Sequence, residues 1–196
     1  MLKGVGFALE LGLQSALSVF GVRSAYEQPR HEVVGRAGSV EIRTYGPRLA
    51  VETTLDPGTR DGAFGLLAGY IFGKNRAAGG GGGAKIAMTV PLEMAQAGPR
   101  VAMRFFLPRS LSRDTAPAPE DARVRVVEVP GETMAVLRFS GSTGDARIAE
   151  RKEALLRELR GSAWAPTGEP VFLGYDPPFT PPPLRCNEVA VPVRRR

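Results

Sequence analysis

Ser39-Val40-Glu41-Ile42-Arg43-Thr44-Tyr45, closed by Gly46-Pro47, alternates polar and apolar side chains. A period of two puts one set of side chains on each side of a strand, so this stretch predicts a strand with one buried face. Arg48 to Thr54 follows as a second strand, with Leu49 and Val51 on one side. The pattern then changes. Between Arg60 and Phe72, the residues Phe64, Leu67, Ala68 and Ile71 recur at spacings of three and four, which predicts a helix with one apolar face. Asp56 or Thr59 can cap it, and Asp61 suits its positive first turn. Gly62, Gly65 and Gly69 cost this helix about 1 kcal/mol each relative to alanine, and they leave its surface low and open. Gly73-Lys74-Asn75 ends it. Lys85 to Met94 and Val101 to Pro108 read as two further strands.

The same order returns downstream. Arg123 to Val129 reads as a strand, and Glu132 to Phe139 is a second strand after Gly131. Asp145 to Arg160 is the longest helix, with Ile148, Leu155, Leu156 and Leu159 inward and Gly161 as its C-cap. Val171 to Tyr175 and Glu188 to Val193 supply the last strands. Each half reads strand, strand, helix, strand, strand. Such a duplication predicts an α+β fold, an eight-stranded, mainly antiparallel sheet or open barrel with two flanking helices.

The chain has 196 residues, 43% of them hydrophobic and 23% charged, as expected of one domain with a core of its own. Its net charge of +6 owes part of its excess to Arg194, Arg195 and Arg196, read as a solvated basic tail. Elsewhere arginines alternate with glutamates, as in Glu150-Arg151-Lys152-Glu153, which describes a wet helix face and points away from a nucleic-acid partner. The single cysteine, Cys186, excludes an intrachain disulfide. The glycine run within Ala77 to Ala84 lacks the lysine–serine ending of a phosphate loop, so nucleotide binding is rejected.

Residues 1–25 form a separate segment, an apolar helix and its connector. Glu10, Gln14 and Ser18 stack on one face of it, and Val5, Leu9, Leu13, Leu17 and Phe20 are among the apolar remainder. Three readings stay open: a degenerate export signal or anchor, a helix lying in the membrane interface, or a packing helix. Membrane contact through this helix ranks first. The domain proper is expected over residues 26–193, with 194–196 as the tail.

At this point the residues resemble a known family. Val40-Glu41-Ile42-Arg43-Thr44-Tyr45-Gly46-Pro47, Gly69-Tyr70-Ile71-Phe72-Gly73-Lys74-Asn75, Ile86-Ala87-Met88-Thr89-Val90-Pro91, Phe105-Phe106-Leu107-Pro108, Arg138-Phe139-Ser140-Gly141, Tyr175-Asp176-Pro177-Pro178 and Asn187-Glu188-Val189 stand in the order found in SOUL haem-binding proteins. The resemblance implies a distorted β-barrel with two helices, related to effector-binding domains. It also implies haem or a related porphyrin held in an exposed apolar cleft, without catalysis. One wall of that cleft would be Phe64, Leu67, Ala68 and Ile71, and the other Tyr175, Pro178 and Phe179. Arg43, Arg60 or Lys74 would pair with the ring carboxylates. One branch of the family ligates iron through a histidine in the strand read here as Glu41 to Tyr45. Thr44 stands at that position, and the one histidine of the chain, His31, is a weak candidate for an axial ligand. Met88 and Met94 are conceivable soft ligands, with gap-filling the plainer role.

Two other functions stay in play. The related barrels include small-molecule-binding modules and hydrolases, and Glu93 with Glu188 could activate a water if they share a cleft. A membrane-tethered interaction protein is the third reading.

Overall fold

A computed structural model describes residues 26–56, 60–77, 82–177 and 179–196, with the side chains of Leu55, Arg60 and Asp61 also outside the description. The helix expected within residues 1–25 lies outside the described residues. In chain order the elements are β1 (His31–Ala37), β2 (Val40–Tyr45), β3 (Arg48–Leu55), α1 (Arg60–Ile71), β4 (Asn75–Arg76), β5 (Leu92–Ala97) and β6 (Arg100–Phe106). Then come β7 (Ala118–Pro119), β8 (Val124–Val129), β9 (Glu132–Phe139), α2 (Asp145–Glu158), β10 (Trp164–Pro166), β11 (Val171–Gly174), a short 3-10 turn at Pro182–Leu184 and β12 (Asn187–Arg195).

The main sheet runs β1-β2-β9-β12-β11-β5-β6-β3-β8 with β10 added beside β12, ten strands among the described residues. It is antiparallel throughout and curls into a half-barrel. Eight of these strands form the duplicated set. Exchanging the halves (β2 for β8, β3 for β9, β5 for β11, β6 for β12) reproduces the same order reversed, so a pseudo-twofold axis passes between β11 and β5. The first strand of each half pairs with the second strand of the other, β2 with β9 and β8 with β3. The two repeats are therefore interlocked.

The two helices cover one face of the sheet. Beneath them Val40, Ile42, Val51, Phe105, Phe172, Val189 and Val191 form the core with Leu67, Ile71, Leu155 and Leu159 of the helices. The other, concave face carries smaller apolar clusters, Tyr45, Met134, Val136, Leu173 and Ala190 in one and Ala50, Phe106 and Val129 in a second.

Three expectations need correction. Lys85 to Met94 is not one strand: β5 begins only at Leu92. Its upstream backbone is used elsewhere, because the amide of Ala84 donates to Asn75 Oδ1 and that of Ile86 to the Ile71 carbonyl. The sheet has strands that the alternation pattern missed. β1 is exposed almost throughout and so carries no period of two, and β10 is only three residues long. The basic tail is largely strand, since β12 continues through Arg195, which pairs with Trp164.

Candidate functional site

On α1 the residues expected to form one cleft wall divide into two groups. Leu67 and Ile71 are 0% and 1% exposed and belong to the core. Phe64 is 43% exposed, its ring meeting Phe105 edge-on at 5.4 Å, and Ala68 is half-buried. The reason is helical phase. At roughly 100° per residue, Phe64, Ala68 and Phe72 fall within an arc of about 80°, to one side of the core-facing direction of Ala63, Leu67 and Tyr70. Phe72, which the periodicity did not single out, is 42% exposed, and its amide continues the helix by donating to the Ala68 carbonyl. A Cβ placed at Gly62 or Gly65 would meet nothing within 4 Å, so the flank of this stripe is bare. Lys74 marks its end: the Lys74 stem passes 3.1 Å from where a Gly69 Cβ would lie.

The Gly73-Lys74-Asn75 motif holds this end of the helix in place. Asn75 is fully buried. Its amide nitrogen donates to the carbonyls of Tyr70 at 2.6 Å and Ala84 at 2.8 Å, and its Oδ1 accepts from the Ala84 amide at 2.8 Å. Gly83 then lies so close to Gly73 that a Cβ would fall 1.8 Å from the Gly73 carbonyl oxygen, a gap only glycine allows. Buried Tyr70 donates to the Pro117 carbonyl at 2.8 Å, and burial raises its phenol pKa to about 12.

The other expected wall is also divided. Phe179 is 59% exposed. Pro178 lies outside the described residues, as does the side chain of Arg60. Tyr175 follows β11 on the concave face, packing against the Tyr45 and Leu173 cluster. Its hydroxyl donates to Glu188 Oε2 at 2.7 Å, and burial, reinforced by the nearby Glu188 carboxylate, raises its pKa strongly.

Arg43 is no rim cation. It is buried beside Glu188 and makes further bonds to Glu41 Oε2 at 2.8 and 3.0 Å. Burial by itself would lower its pKa, but the Glu188 carboxylate more than offsets this and raises it. His31 belongs to β1 and stacks obliquely on Tyr45 at 5.2 Å, on the face opposite α1. Thr44 shares a 3.1 Å hydroxyl contact with Thr133. Met94 is core and Met88 half-buried. Among the described residues, no group of three or more His, Cys, Asp or Glu side chains could hold a metal.

Glu93 and Glu188 do share the concave face. Leu173 is the register partner of both, which puts their strands about 10 Å apart. Each carboxylate is already engaged. Arg43 and Tyr175 hold Glu188, and Arg104 holds Glu93 at 2.7 Å. Arg104 also bonds Glu52, which takes a second bond from Arg125. Desolvation raises the Glu93 pKa, opposed by Arg104.

At one end of the half-barrel a cleft of about 380 Å³ opens between residues Glu27–Arg30, the β2–β3 turn and the segment after β6. A chamber of about 20 Å³ adjoins it and shares Gln28, Pro29, Arg48 and Phe106 with it. Neither space touches α1.

A protein-family model described as SOUL heme-binding protein matches residues 26–192. No curated protein sequence matches the chain significantly. Among solved structures, the C-terminal domain of EcmrR superposes with a TM-score of 0.59 at 9% identity, covering 80% of this chain and 98% of that one. A structure described as a hydrolase from Listeria innocua superposes with a TM-score of 0.56 at 12% identity, covering 82% and 94% respectively. At these identities the likeness is one of fold.

Proposed function

The chain belongs to the SOUL heme-binding protein family, and on that premise we propose that it binds haem or a related tetrapyrrole on the exposed stripe of α1, without catalysis. The observation that carries the reading is the Phe64–Ala68–Phe72 stripe, two aromatic rings beside an open glycine flank. A planar apolar macrocycle gains most from broad contact of this kind. Leu67 and Ile71 act from below, fixing the helix, and Lys74 at the end of the stripe is the cation for a ring carboxylate.

Register supports a second wall from the loop that carries Phe179. Phe105, beneath Phe64, is in register with Leu92, which is in register with Gly174, where that loop departs. The loop thus starts about two strand spacings, or roughly 10 Å, from the stripe. Binding rests on apolar contact, because His31 is across the sheet from α1. The arginine partners of Glu93 and Glu188 favour a structural role for both carboxylates over water activation.

Titration with haemin and with metal-free protoporphyrin tests this reading. Both should shift the Soret band at micromolar concentration, with dissociation constants within about threefold of each other. Phe64→Asp and Phe72→Asp should each weaken both ligands at least tenfold. Absence of any spectral or melting-temperature change at 10 μM would sink the proposal.

A further inference from the structure

The cleft at the end of the half-barrel has its own chemistry, and none of its lining residues belongs to α1. Its volume of about 380 Å³ falls within the range of roughly 300–1,000 Å³ seen for small-molecule sites. Leu49, Phe106, Leu107 and Leu111 give it an apolar floor, and Arg30, Arg48 and Arg109 are its cations.

The charges are not equivalent. Arg109 is held by Glu27, whose Oε1 accepts both its backbone amide and its Nε at 2.9 Å. Arg30 is exposed and in no ion pair among the described residues. Arg48 lies where the cleft meets the 20 Å³ chamber. Its guanidinium lies between the rings of Tyr45 at 4.7 Å and Phe106 at 4.8 Å, and one terminal nitrogen bonds Glu132. Its Nε is buried with no hydrogen-bond partner among the described residues. A buried donor without a partner is uncommon and costs stability. The chamber beside it has room for a single oxygen-sized atom. The carboxylates at the two spaces, Glu27 and Glu93, are occupied by Arg109 and Arg104.

We propose that this cleft binds an amphipathic monoanion, an alkyl carboxylate whose chain lies on Leu49, Leu107 and Leu111 and whose head group sits at the mouth of the chamber beside Arg48, with one oxygen inside it. One carboxylate oxygen accepts from the orphaned Arg48 donor, and Arg30 supplies the remaining charge. A cationic amphiphile would bring its positive head against two arginines, so the site discriminates by sign.

Calorimetric titration of the full chain with decanoate, decanol and decyltrimethylammonium tests this. Decanoate should bind at one saturable site, at least tenfold tighter than either other probe. Arg48→Met should weaken it at least tenfold. Arg30→Glu, at an exposed position that leaves the fold intact, should weaken it three- to fivefold. Prior saturation with haemin should leave the decanoate constant unchanged. Equal binding of the cationic probe, indifference to Arg30→Glu, or displacement of decanoate by haemin would overturn the proposal. Decanoate binding without haemin binding would instead sink the α1 reading and leave this one standing.

Discussion

The guanidinium of Arg43 meets the carboxylate of Glu188 through two 3.1 Å hydrogen bonds, joining residues 145 apart in sequence. The pair ties β2 of the first repeat to β12 of the second on the concave face, with Tyr175 as a third partner. Both side chains are about nine-tenths buried or more. Removing one partner strands the other charge away from water. Arg43→Met should therefore cost roughly 3–5 kcal/mol. The double variant Arg43→Met with Glu188→Gln should cost much less than the sum of the singles. Urea unfolding of the parent, the two single variants and the double variant measures this, and additive losses would contradict the coupling.

The two sides of α1 should respond oppositely to substitution. Leu67→Ala opens a cavity under a fully buried position and should cost about 2–5 kcal/mol, yet leave haemin affinity of the folded protein nearly unchanged. Phe64→Asp should destabilise less and weaken haemin at least tenfold. Thermal unfolding and Soret titration on the same samples separate the two effects.

Asn75 should control the glycine-rich segment. Asn75→Ala leaves the Ala84 carbonyl and amide without their Asn75 partner, and the Tyr70 carbonyl with only the Gly73 amide, at a cost of about 1–3 kcal/mol. Amide exchange at Ala84 should accelerate by at least tenfold, while that of strand β9 follows only the global loss of stability.

Glu27 makes the segment before β1 sensitive to acid. Burial tends to raise its pKa, but the backbone amide and guanidinium of Arg109 outweigh this and hold it below the ordinary 4.5. A depressed folded pKa contributes stability that is complete above about pH 4.5 and is lost as pH falls through the folded value. Glu27→Gln should lower the melting temperature at pH 7, and the gap to the parent should close as pH falls below 4.5. A gap independent of pH would show that the charge of Glu27 is not involved.

Strand exchange makes the halves interdependent. Residues 26–113 contain β2 and β3 without their partners β9 and β8, and residues 114–196 lack the reverse pair. Neither fragment should unfold cooperatively alone, and an equimolar mixture should recover the sheet signal in circular dichroism. A fragment that melts cooperatively by itself would refute this.

Local pattern determined much of this protein. The alternation in Val40–Glu41–Ile42–Arg43 and the three-and-four spacing from Ile148 to Leu159 each state which side of an element is apolar, and the duplication states that the elements come in two sets. These are properties of neighbouring residues, so the chain order alone carries them. What the order could not carry is which strand lies beside which, and on which side of the sheet a polar residue ends up. Arg43 and Lys74 look alike as cations in a sequence. Only the pairing of β2 with β9, and of β9 with β12, brings Arg43 to Glu188 and buries it there. Likewise Leu67 and Phe64 share one periodicity, and the angle at which α1 rests on β3 and β6 decides which of them meets water. The end cleft has no local signature, because Glu27–Arg30, Arg48 and Leu111 become neighbours only when the sheet curls.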